Sequence, residues 1–174
     1  WVNFSNAGGA WQRIFDFGTG TTINMFLTPR TGTAGPMRFA ITIGGGGAAE
    51  EQATAPGTLP RGWHHAVVTM NTSVPANTLY LDGVVVATNT AATLTPSSLG
   101  NTTNNWLGRS QYAADAYFNG ALDDFRIYDY ALTAAEVVKT MRGDLLRAWS
   151  PIPNNGAKVD VEGAKQPLTW SPGD

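Results

Sequence analysis

The chain has 174 residues, of which 14% are charged, with a formal net charge of -2. A balance this close to neutral supplies no basic field to gather phosphate backbones or anionic lipid, so nucleic acid is excluded as an expected partner. The lack of cysteine removes disulfides, thiolate chemistry and cysteine-based zinc sites together, while 20 glycines and 10 prolines among many Thr and Asn are the mixture of short strands joined by turns.

"WVNFS" (1–5) reads as strand interior, so the sequence is expected to open inside a strand. "QRIFDFG" (12–18) and "INMFLTP" (23–29) flank the turn-forming "GTGT" and predict a hairpin. "MRFAITI" (37–43) is a further strand, and the aperiodic, Gly-rich stretch that follows it up to Gly62 is expected to be a loop. "WHHAVVTM" (63–70) alternates, with Trp63, His65, Val67 and Thr69 on one face. In "TLYLDGVVVAT" (78–88) the Asp82-Gly83 pair supplies the positive φ angles of a tight hairpin turn. "NNWLGRS" (104–110) and "AYFNGALDDFRIYD" (116–129) complete a series of about nine short strands, the expectation for an all-β domain. Thr133 followed three residues later by Glu136 predicts a capping box that starts a short helix ending near Gly143. Beyond it, Pro and Gly-Asn punctuation marks residues 143–174 as a linker, whose "LTWSPGD" resembles the opening of an immunoglobulin-like or fibronectin-like module. No run of about 18 apolar residues and no signal-peptide pattern occurs, so membrane insertion is not expected and any export signal lies outside these residues.

"GWHHAVVTM", "LYLDGVVV" and "NNWLGRSQYAADAYFNGALDDFRIYDYALTAAEV" together resemble the bacterial laminin-G-like domains of the concanavalin A-like lectin/glucanase superfamily. The resemblance spans residues 1–142, with the family's N-terminal strand missing or shortened. It implies a jelly-roll β-sandwich of two antiparallel sheets with one short helix near its C-terminal end. It also implies a non-catalytic sugar-binding or adhesion module of a larger secreted or cell-surface bacterial protein, beside a catalytic domain such as a glycoside hydrolase. The expected partners are a polysaccharide or glycan and the adjoining domains of the same polypeptide. A structural or protein-interaction domain without a sugar site is the alternative, and a glycanase a third reading, because fold alone does not set function.

Glycoside hydrolysis needs two carboxyl groups facing one bond, whereas Asp123 and Asp124, read as neighbours on a strand, point to opposite faces. The Glu-x-Asp-x-(x)-Glu run of the superfamily's glucanases is absent, and Glu136 is explained by capping. Asp123 shares a face with Phe125 and Ile127, expected to be buried, and so needs partners: backbone amides or an indole, or calcium, as in many members of the family, with Asp115 and nearby carbonyls as co-ligands. His64 and His65 point apart and are expected to be packed or hydrogen-bonded rather than to hold zinc. Sugar binding needs aromatic faces beside polar side chains. Trp106, Arg109, Gln111, Tyr112 and Tyr117, with Asn104, Asn105 and Asn119, supply one such cluster, and Trp11 with Gln12 and Arg13 another. Trp106 and Tyr117 have core packing as their alternative role, while Tyr112 and Trp11, flanked by turn residues, are expected to be exposed.

Overall fold

The computed structural model describes residues 1–72 and 76–142, together with the backbone of strands at 149–152 and 169–171. Its contacts divide the chain into two units, Trp1–Leu132 and Thr133–Asp174. The first unit is a two-layer antiparallel β-sandwich. One layer is a five-stranded sheet in the order β10-β2-β3-β4-β5, built from Asn104–Leu107, Phe15–Gly18, Asn24–Thr28, Arg38–Thr42 and Glu51–Thr54. The opposing layer comes in two pieces. Strands β11 (Gly120–Leu122), β1 (Val2–Phe4) and β6 (Trp63–His64) make one, and β7 (Ala66–Asn71), β8 (Ala76–Leu81) and β9 (Val84–Asn89) the other.

Cross-strand register sorts the five-stranded sheet into an inner and an outer face. Phe15, Leu27, Phe39 and Ala53 stand in one row, and Phe17, Met25 and Ile41 in the next but one. Leu27, Phe39, Ile41 and Ala53 from these rows join Val2, Phe4 and Leu79 of the opposing layer in the buried core, with Ala66, Val68 and Val86 packed against it. Removing each large side chain from water stabilises the fold by about 1.5–3 kcal/mol, which sets the alternation that the sequence displays. The row between them, Trp106, Asp16, Phe26, Ala40 and Gln52, faces away from the core.

Three sequence expectations change. The run from Trp63 to Met70 is not one strand: it breaks at His65, leaving one piece of the layer as β6 and entering the other as β7. A side chain marks the break: the carboxylate of Asp82 accepts the His65 amide at 2.8 Å and is hydrogen-bonded to the His64 ring at 2.7 Å. The stretch after residue 43 contains a strand, β5, whose core contribution is the small Ala53 and whose Glu51 accepts hydrogen bonds from the Thr93 and Leu94 amides. The last strand is short. It spans only Gly120–Leu122, and Phe125 and Ile127, expected to be buried, are 42% and 75% exposed.

The second unit holds helix α1 (Ala134–Arg142), started as expected: Thr133 N–H donates to Glu136 Oε2 at 2.8 Å, and the Glu136 amide donates to Thr133 Oγ1 at 3.3 Å. Strands β12 (Trp149–Ile152) and β13 (Thr169–Ser171) pair antiparallel. The expected resemblance of residues 168–174 to a second module lies largely outside the described residues. Among the described residues, no helix is long and apolar enough to cross a membrane.

Candidate functional site

The outer face of the five-stranded sheet is where most of the sequence-singled residues meet. Asp16 sits mid-face because strand alternation turns Phe15 and Phe17 inward and leaves Asp16 outward. An outward Asp on such a pattern is expected in solvent, yet Asp16 is fully buried. The loop after β10 covers it. The Gln111 amide donates to Asp16 Oδ2 at 3.0 Å, and Ser110 Oγ donates to Asp115 Oδ2 at 2.7 Å.

Arg13 fastens this loop to the sheet. Its guanidinium lies 4.0 Å above the Phe26 ring, with Nη2 at 3.2 Å from Asp115 Oδ2 and Nε at 3.5 Å from Asp16 Oδ2. Two acids around one buried cation offset its desolvation, the condition on which a buried charge is tolerated. Burial pulls the Arg13 pKa down, opposed by Asp115 and Asp16. It pushes Asp16 up to about 6, against the Gln111 amide and Arg13, which favour the carboxylate. One Asp16 oxygen, Oδ1, and Arg13 Nε have no hydrogen-bond partner.

Around this centre stand the aromatics. Trp106, half-buried on edge strand β10, carries the Arg109 guanidinium 4.1 Å from its ring, and Arg109 is itself exposed. Trp11 is half-buried, with Arg13 at 5.5 Å and Arg38 at 6.0 Å from its ring. Its φ of 54° is a left-handed conformation that costs a bulky residue strain. The Trp11 amide on the Gly32 carbonyl at 3.2 Å and the Arg13 bond to the Trp11 carbonyl at 2.8 Å hold it there. Tyr112 is also half-buried, its hydroxyl donating to the Thr21 carbonyl at 3.2 Å. Burial first, then Glu50, raises its pKa. Trp11 and Tyr112 are therefore less exposed than turn context implies.

Several polar residues expected to read sugar hydroxyls are committed to the fold. The Gln111 amide is closed on Asn104 through bonds of 2.8 and 3.3 Å. Gln12, fully buried, gives its side-chain N–H groups to the Ala7 and Gly9 carbonyls and accepts the Asn119 amide. Tyr117 is 69% exposed, which sets aside a core role for it.

Asp115 and Asp123, considered together for calcium, have separate partners. Asp115 meets Arg13, and Asp123 Oδ1 accepts the neighbouring Asp124 amide at 2.8 Å while its backbone pairs with Trp1. A guanidinium already holds the charge a cation would seek at Asp115, and no three His, Cys, Asp or Glu side chains converge among the described residues. This donor set does not fit calcium. Asp123 is exposed, and its neighbour Asp124 pairs with Arg126 at 2.7 Å, also at the surface. His64 is hydrogen-bonded to Asp82, and His65 is buried 5.3 Å from the Trp1 ring, the packed roles that alternation assigns to neighbouring histidines.

The residues that organise the face, Arg13 and Asp16, carry one available sequence signal. They are opposite charges three residues apart at the entrance to a strand, but nothing in that spacing shows the loop that buries them.

The Laminin_G_3 family, described as the concanavalin A-like lectin/glucanases superfamily, matches residues 1–138. Among solved structures, an S-layer domain-containing protein (residues 221–444) from Clostridium thermocellum is 31% identical, with a TM-score of 0.42 over 81% of this chain. The chain covers 66% of that structure's length, so it spans slightly less than two thirds of it. No match was found among curated proteins.

Proposed function

From the premise that the chain belongs to the concanavalin A-like lectin/glucanases superfamily, we propose that it is a non-catalytic carbohydrate-binding or adhesion module. It binds glycan on the outer face of the five-stranded sheet. The observation that carries this reading is the arrangement of Trp106 on β10 and Trp11 in the loop before β2, both half-buried and both flanked by arginine. Rings held in this way offer apolar surface to the C–H faces of a pyranose, while Arg109 and Arg38 can donate to its hydroxyls. The module serves a larger secreted or cell-surface bacterial protein, beside a glycoside hydrolase, and acts by proximity. Even weak tethering to polysaccharide raises the local concentration seen by an attached catalytic domain.

A glycanase reading would cast Asp16, with its raised pKa, as a general acid and Asp115 as its partner. Burial argues against it: a carboxyl with no solvent-exposed surface, already bonded to the Gln111 amide, cannot reach a glycosidic oxygen.

The test is titration of tryptophan fluorescence with a panel of plant and algal oligosaccharides. At least one glycan should shift the emission, and Trp106→Ala should weaken its binding on the order of tenfold, as expected for loss of one stacking ring. A flat response across the panel would instead favour a structural domain.

A further inference from the structure

Most of the described arginines of the first unit are committed to the fold. Arg13 meets Asp16 and Asp115, Arg126 pairs with Asp124, and Arg38 donates to Thr54 Oγ1 at 3.1 Å with Glu50 at 4.0 Å. Arg30, buried, donates to Asn6 Oδ1 and to the Gly8 carbonyl at 3.0 and 2.8 Å. Arg109 differs. It is exposed, and among the described residues no carboxylate pairs with it and its guanidinium makes no hydrogen bond. Arg61 is exposed and unpaired as well, but lies over no ring.

The seat of Arg109 is Trp106, which its register with Asp16 of β2 turns to the outer face. The guanidinium stands 4.1 Å from the ring centroid. Gly108, between the two, has φ 73°, a left-handed conformation that glycine adopts without steric cost. Its amide is fixed on the Ile14 carbonyl at 3.0 Å and its carbonyl on the Phe118 amide at 2.9 Å, so the turn that brings Arg109 to the ring is anchored at both ends.

A guanidinium held against a ring has given up part of its freedom before any ligand arrives, and less remains to be lost on binding. It also changes what the ring can take. A pyranose approaching that side of Trp106 meets N–H donors and a positive charge instead of bare indole. Such donors bind an anionic oxygen more strongly than a hydroxyl, and their fork matches two oxygens of one group. The surroundings limit how much charge the ligand carries. Asp16 and Asp115 stand around Arg13, Glu50 stands near Arg38, and the net charge of the chain is -2, so a densely charged polyanion is repelled while one anionic group suits one guanidinium.

Resting on the glycan-binding reading, we infer that Arg109 determines the specificity of that site, and that the glycan it selects carries an isolated anionic group, a uronate carboxylate or a single sulfate ester, on an otherwise neutral chain.

The test is calorimetric titration with matched oligosaccharides: neutral chains, the same chains carrying one uronic acid, the methyl esters of those, and the same chains carrying one sulfate. A singly charged chain should bind about tenfold tighter than its uncharged counterpart at low salt, the gap closing in about 0.5 M salt. Preference for the uronic acid over its methyl ester assigns the group as carboxylate, and preference confined to the sulfated chains assigns it as sulfate. Arg109→Gln should bring charged and uncharged chains to the same affinity. Equal binding of charged and uncharged chains by the wild type, or a preference that survives Arg109→Gln, overturns the inference and leaves the glycan-binding reading standing. Failure of all four sets to bind overturns both.

Discussion

Asp16 holds its proton more tightly than a free aspartic acid because the loop from Ser110 to Asp115 shuts it from water, and one of its oxygens has no donor to face. With a folded pKa of about 6 against 3.8, the folded state binds the extra proton between those values. Stability from this group therefore falls as pH rises from about 4 to 6, by about 3 kcal/mol. Glu51 works in a different window. Burial would raise its pKa, but hydrogen bonds from Thr93 and Leu94 outweigh that and leave it lowered, so its contribution is present above the ordinary glutamate range and lost as pH falls below it. His65, lowered by burial, loses stability as pH falls below about 6.5 and partly masks Asp16. The clean measurement is the difference between wild type and Asp16→Asn in urea unfolding at pH 4.5 and 7. The variant should lose the Asp16 part of the slope, gaining relative to wild type at pH 7; parallel profiles would show that Asp16 is not titrating in the folded protein.

At the scale of elements, local chemistry and long-range pairing separate cleanly. The Thr133–Glu136 capping box was readable because both its bonds close within four residues. Thr133→Ala should lower the stability of α1 by about 1 kcal/mol, measured as faster amide exchange at Glu136 and Val137; unchanged exchange would mean that the cap is not what holds the first turn. The Asp82-Gly83 hairpin was equally legible, with Asp82 at φ 50° and Gly83 at φ 80°. Strand β5 was not. Its residues, Glu51, Gln52, Ala53 and Thr54, lack β-branched or aromatic bulk except at Thr54, and pairing with β4 makes them a strand. The segment after Leu122 errs the other way: its alternation is strong, but a strand exists only where a neighbour supplies the ladder.

For the whole molecule, charge placement decides what the sandwich can hold. Fastening the 110–115 loop through Arg13 spends the Asp115 carboxylate on a guanidinium, so calcium has no ready acidic cluster among the described residues. Chelation with EDTA should leave Tm unchanged. A fall of several degrees, the signature of a ligand bound only by the folded form, would show a cation site that this arrangement does not account for. The same fastening ties the loop carrying Gln111 and Tyr112 to the outer face, through the Gln111 amide on Asp16 of β2 and Arg13 on Asp115.

Alternation, turn chemistry and capping are written in neighbouring residues, so the sequence by itself determined an all-β domain, its hairpin at Asp82-Gly83 and the start of its helix. It also marked Trp11, Trp106 and Arg109 as candidates for binding. Only the tertiary structure decided that Asp16 is buried, that Gln12 and Gln111 serve the fold, and that Phe125 and Ile127 lie exposed. Each of those outcomes depends on which distant segment covers or pairs with the residue, and burial is a property of that neighbour as much as of the side chain.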